Sequence, residues 1–190
     1  STDNFFSFFH SARPASRVRI QTLIAPPSKA ACIWLLQKDD RSAMTKNISE
    51  QIAAFAAQTA WADIPADVRH EAKRSLLNYF ATAIAGSNEI GMKKSLSVLA
   101  PFAATGACKI IGRAEQVDMA FAAYLNGVSA NIYDFDDTHQ ETVIHPTAPI
   151  APAVFAHAEV RPCDGKALLK AFIIGGEIEC RIGNAVSPSH

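Results

Sequence analysis

The feature that most constrains this chain is an apolar stripe with a four-residue repeat, in which Val68, Ala72, Leu76, Phe80 and Ile84 follow Pro65. Residues four apart share one face of an α-helix, so the stripe predicts a long amphipathic helix. Pro65 suits its first turn and Gly86 lies where a C-terminal glycine belongs. Such a helix must bury its stripe against other elements, and its neighbours read the same way. Asn47 is an N-cap with Glu50 three residues on, followed by Ile48, Ile52, Phe55 and Ala56 on one face. A shorter helix is expected over Lys93 to Ala103. Asp118 caps the run that begins at Met119, and Asp164 caps a long one in which Gly175 and Gly176 favour close packing over propensity. Only "CKIIG", Cys108 to Gly112, reads as a strand. The fold class expected is all-α, an assembly of packed helices.

Several functions are excluded by what the chain lacks. Lys plus Arg and Asp plus Glu each number 18, so there is no basic field to recruit nucleic acid. No apolar run approaches the ~18 residues of a membrane span, and the strongest candidate, "ALLKAFIIGG", is interrupted by Lys170. Cys32, Cys108, Cys163 and Cys180 are scattered without a CxxC pair, which argues against a zinc knuckle, an iron–sulfur cluster or a disulfide framework and favours a reducing, cytoplasmic setting. Residues 1 to 43 form a separate segment. Phe5, Phe6, Phe8 and Phe9, then Arg13, Arg17 and Arg19, follow no sustained period, so a poorly ordered leader is expected there, with a mitochondrial transit peptide as the alternative. The folded domain is expected from Met44 to His190.

Chemistry concentrates in "NIYDFDDTHQETVIHPTAP", Asn131 to Pro149. A helix running on from Asp118 through this segment would put Asp134, Asp137 and Thr138 on one face and turn Asp136 away. His145 precedes Pro146, which biases it to extended backbone and lets the proline open the next helix. At such an N-terminus the helix dipole favours a neutral imidazole, which can act as a base. Between Arg113 and Arg161 there are seven carboxylates and no Lys or Arg, so the negative charge lacks a local partner. A metal site, an acid/base site and a solvated loop all remain open on this evidence. Asp134, Asp136 and Thr138 also match the Asp-x-Asp-x-Thr nucleophile motif of haloacid-dehalogenase-type phosphohydrolases. That motif should follow a buried strand, whereas the preceding residues read as helix, and Asp137 stands where glycine is usual. Magnesium binding by these aspartates is nonspecific.

A closer resemblance is carried by "AAYLNGVSANIYDFDDTH" and the following "HPTAPIAPAVFAHAE", flanked by "VRHEAKRSLLNYFATAIAGS" and "GKALLKAFIIGGEIECRIGNAVSPSH". These residues, from about Ile48 to His190, resemble the MmgE/PrpD family, which includes 2-methylcitrate dehydratase and cis-aconitate decarboxylase. The resemblance implies the family's helical domain, ending before its α/β lid domain. It implies a site lined by Asp134, Thr138 and His145 with Asp137 adjacent, in which His145, Asp134 and Asp137 serve acid/base chemistry and Thr138 and Asp134 contact substrate. It further implies a lyase acting on a small di- or tricarboxylate, without cofactor or metal, in a homodimer. Decarboxylases of the family carry a second histidine where this chain has Asn184, which favours the dehydratase, a hydro-lyase. Because seven carboxylates would meet an anionic substrate with no cation nearby, the 190-residue chain is expected to be inactive alone. A non-catalytic helical interaction module is the competing expectation.

Overall fold

The stripe behind Pro65 becomes helix α2, Ala66–Gly86, with Pro65 as its N-cap. This and the elements below belong to a computed structural model that describes residues 47–186, so the segment 1 to 43 lies outside the described residues. Before α2 come α1, Ile48–Gln58, and a short 3-10 turn, Trp61–Asp63. After it come α3, Ile90–Leu99, a 3-10 turn Ala100–Phe102, strands β1, Cys108–Lys109, and β2, Gln116–Val117, then α4, Met119–Asn131, α5, Thr147–Val160, and α6, Gly165–Val186. The described residues are therefore mostly helical, in line with the all-α expectation. None of the described helices is long and apolar enough to cross a membrane.

The caps follow the sequence closely. Asn47 accepts from the Ser49 amide at 3.0 Å, Asp118 from Ala120 and Phe121, and Asp164 from Ala167 at 2.7 Å. The helix expected from Lys93 instead starts at Ile90 and stops at Leu99, where the chain tightens into a 3-10 turn containing Pro101. Proline has no N–H to extend the α-helical ladder, so the change of pitch falls there. "CKIIG" is half of a two-stranded ribbon in which Cys108 pairs with Val117 and Lys109 with Gln116. Gly112 makes its turn at φ 74°, a conformation that suits glycine.

A buried pair of small-residue helices organises the rest. α4 packs on α5 and on α2 more extensively than any other helices meet. Ala122, Ser129 and Ala130 of α4 and Ala148, Ala151 and Ala156 of α5 are buried, and their small side chains let the two backbones approach. One core, with Tyr79, Ala83, Leu169 and Phe172, lies against Ala130 and Ala151; a second, with Met92, Ile110 and Val117, lies against Ala122, Leu125 and Ala156. Asn126 pins the ribbon to α4 by accepting from the Ile111 amide at 2.8 Å and donating to the Lys109 carbonyl at 3.0 Å.

The α2 stripe holds over most of its length, with Ala72 buried and Val68, Leu76 and Phe80 packed against the core, and departs from expectation at its C-terminal end. Tyr79, Thr82, Ala83 and Gly86 are buried, while Ile84 is 57% exposed. The cause is α4, which crosses so near that a Cβ on Gly86 would stand 2.0 Å from the Ser129 carbonyl oxygen. Gly86 therefore serves a close crossing and not a left-handed cap, since Ser87 after it is right-handed, at φ −59° and ψ −27°. Gly175 plays a similar part, with a Cβ there falling 2.7 Å from Ile150 of α5, whereas Gly176 meets nothing within 4 Å.

Tyr79 is fully buried between Phe80, at 5.2 Å edge to face, and Phe155, stacked at 6.3 Å. Its hydroxyl has no hydrogen-bond partner among the described residues, and burial pushes its ionisation far above the usual range. An unpartnered buried hydroxyl costs roughly 1–3 kcal/mol, so Tyr79→Phe is expected to leave stability unchanged or raise it by about 1 kcal/mol in urea unfolding. A loss of stability would mean that the hydroxyl has a partner.

Candidate active site

The helix α4 does not run through the acidic segment. It ends at Asn131, and the Asp134 amide turns back to the Asn131 carbonyl at 3.0 Å with Asp134 at φ 56°. Aspartate is among the few residues that tolerate this left-handed conformation. The physical signal was available, because carboxylates at a helix C-terminus meet the negative end of the dipole. Asp134, Asp137 and Thr138 consequently do not share a helical face, and Asp136 does not turn away.

Side chains from the surrounding helices fix the loop. Asn78 of α2 donates to the Phe135 carbonyl at 3.0 Å, and Tyr133 donates to Glu89 at 2.5 Å. Asn131 donates to both oxygens of Asp136, at 3.3 and 3.2 Å, and holds that residue at 6% exposure. Asp137 accepts from the Thr147 amide at 3.1 Å and from its hydroxyl at 2.5 Å, so it grips the first residue of α5. Between them the chain closes on itself, His139 N–H donating to the Ile144 carbonyl at 2.8 Å, and returns to His145. The His139 ring is occupied within this loop by the Thr142 hydroxyl at 2.7 Å.

His145 is the point of convergence. Its Nε2 lies 3.3 Å from an Asp134 oxygen and its Nδ1 lies 3.3 Å from an Asp136 oxygen, with the Thr138 hydroxyl 3.5 Å from Nδ1. The two carboxylates differ sharply in setting. The Asp134 side chain is 80% exposed and that of Asp136 only 1%. Burial raises the Asp136 carboxyl above the usual carboxylate range, partly offset by Asn131 and His145; burial raises Asp137 also, offset by Thr147 and Ser75. The ring opens on a groove of about 500 Å³ whose walls include Tyr124, Val128, Ala148 and Pro149.

This is the geometry of an oriented acid/base. A buried acid holds one ring nitrogen, and the other is presented toward an exposed carboxylate and an open groove. A ring protonated at both nitrogens donates to both aspartates; a ring with one proton donates to one and turns a lone pair to the other. The structure thus brings Asp134 and Thr138 to His145, as the sequence reading expects, and sets Asp137 one step back as the clamp on Thr147. Asp136 is the participant that the sequence reading leaves out.

Asp134, Asp136 and His145 each place one ligating atom within 4.8 Å of the others. The two aspartates, however, address different ring nitrogens, whereas a metal ion takes only one, so the arrangement fits a hydrogen-bonded imidazole better than a metal centre. The phosphohydrolase motif lacks its context too, since helix α4 and a turn precede Asp134 where a strand is required.

Comparison with known proteins bears on the family of the chain. Residues 50–190 match the model of the MmgE/PrpD N-terminal domain. Over 144 residues, 73% of this chain, it is 32% identical to a cis-aconitate decarboxylase of Aspergillus terreus, covering 29% of that protein. It is 29% identical over 147 residues to a cis-aconitate decarboxylase-like protein of Aspergillus oryzae, covering 74% of this chain and 30% of that one. The cis-aconitate decarboxylase of Mus musculus is 26% identical over 145 residues, 73% of this chain and 29% of its own length. The chain therefore spans about three tenths of the length of these relatives.

Proposed function

The chain belongs to the MmgE/PrpD family, and from that premise we propose that its His145 site serves a metal-independent lyase acting on small di- or tricarboxylates. The observation that carries this reading is the imidazole held at 3.3 Å by a buried aspartate on one nitrogen and by an exposed aspartate at the mouth of a groove on the other. Decarboxylation breaks a carbon–carboxylate bond, and the electron pair left behind must take up a proton. Dehydration removes a proton beside a carboxylate and protonates a departing hydroxyl. Either requires a positioned group that gives and takes one proton. His145 has that role, Asp136 orients it, Asp134 shares its exposed edge, and Thr138 offers a hydroxyl to the substrate.

A polycarboxylate also needs cations, and none lies in sequence between Arg113 and Arg161. In this proposal they come from other parts of the protein, which the relatives' greater length makes available. cis-Aconitate is the first substrate to test, given the relatives' names. 2-Methylcitrate dehydration is the second reading, favoured by Asn184 on α6, the position at which the family resemblance places a decarboxylase histidine.

The test is an assay of the 190-residue chain beside a form extended with its natural downstream sequence. Loss of ultraviolet absorbance with release of carbon dioxide reports decarboxylation of the unsaturated acid, and gain of absorbance reports dehydration. The extended form is expected to turn over one of the two and the shorter chain little of either. A folded extended form inert toward both would overturn the proposal.

A further inference from the structure

Asn78 stands in the interior of α2, where local considerations disfavour it. Asparagine is a weak helix former, and here the side-chain oxygen Oδ1 is buried without a hydrogen-bond partner among the described residues. The other half of the amide is engaged. Its N–H group donates to the Phe135 carbonyl at 3.0 Å, across 57 positions of chain. Phe135 is 55% exposed, so water could satisfy that carbonyl if Asn78 were absent. The bond therefore does not rescue a buried acceptor, and stability alone gives no reason to keep an amide at this position.

The place of that carbonyl supplies the reason. Phe135 separates Asp134 from Asp136, the two residues that flank the His145 ring at 3.3 Å. Asp136 is buried and held by Asn131. The Asp134 side chain is 80% exposed, and among the described residues its carboxylate meets only His145, so its place is set by its backbone. That backbone is left-handed, at φ 56°, with its amide on the Asn131 carbonyl at 3.0 Å. Such a conformation persists where the surroundings over-determine it. The Asn78 bond adds a fixed point from a second helix, directly after the strained residue.

We propose that Asn78 is a positioning residue of the His145 site, whose amide N–H holds the left-handed turn and so sets the exposed Asp134 carboxylate against Nε2. Its service to catalysis rests on the lyase reading; its hold on the turn does not.

Asn78→Leu tests this, because leucine keeps the size of the side chain while removing the donor and the orphan acceptor together. Its urea midpoint is expected to equal or exceed the parent's. The ring of His145 should respond differently. In the 190-residue chain at fixed pH, Asp134→Asn should shift the Nε2 nitrogen resonance, and in the Asn78→Leu background that response should shrink to about half or less as the two groups separate. Asn78→Ala, which removes the donor without adding bulk, should do the same. In the extended form Asn78→Leu should lower kcat by roughly tenfold to a hundredfold, the scale of a small misplacement, with KM little changed. Added to Asp134→Asn, it should lower kcat little further. An undiminished nitrogen response would overturn the proposal, and so would a parent-like kcat in an active extended form. An Asn78→Leu chain that unfolds, or whose midpoint falls, would make Asn78 a structural residue only. An extended form inert toward both substrates would remove the lyase reading and leave the nitrogen response to decide the hold on the turn.

Discussion

Gly86→Ala is expected to destabilise the protein by about 2–3 kcal/mol, although a glycine-to-alanine change in a helix ordinarily gains up to ~1 kcal/mol. The added methyl would meet the Ser129 carbonyl oxygen at 2.0 Å and its carbon at 2.9 Å. Both are backbone atoms inside α4, so no rotamer change relieves them, and α2 must move off α4 as a body. The disturbance would reach Tyr79 and Ala83 on one side and Ala130 on the other, all buried in the same core. Gly176→Ala is the matched control. Nothing lies within 4 Å of its Cβ position, so it should stabilise α6 by roughly 0.5–1 kcal/mol. Denaturant midpoints of the two variants check both statements, and a neutral or stabilised Gly86→Ala would mean that α2 and α4 do not cross as described.

His145→Ala in the extended form is expected to lower kcat/KM by about a hundredfold or more, the range associated with losing a general acid/base. The neighbouring His139→Ala should matter far less, because that ring is engaged by Thr142 inside its own loop. Asp136→Asn separates orientation from chemistry. Its amide can still contact Nδ1 but cannot serve as an anionic partner, so kcat should fall while KM changes little. Turnover that ignores His145→Ala would remove this histidine from the mechanism, and equal losses at His139 and His145 would point to damage of the loop as a whole.

The sequence made some of this legible, for reasons that differ from residue to residue. The α2 stripe, the Asp118 cap and the Asp164 cap are local signals, complete within a few positions, and each marks an element of the fold. Which side of α2 is buried depends on where α4 crosses, a fact stored partly in Ser129, 43 positions from Gly86. The site divides likewise. Asp134, Thr138 and His145 stand out by density and resemblance, and their side chains meet at 3.3 to 3.5 Å. Asp136 was hidden by the assumption of a continuous helix, which turned its side chain away from His145.

The loop closed by the His139–Ile144 bridge has a bearing on how such chains diverge. Its two ends are bonded to each other before His145 is reached, and Gln140, Glu141 and Val143 at its tip are exposed. Residues added to or removed from that tip alter the length of the excursion and not the point at which the chain rejoins α5. An insertion between Gln140 and Glu141 is therefore expected to lengthen the exposed excursion while leaving Asp134, Asp136 and His145 in contact.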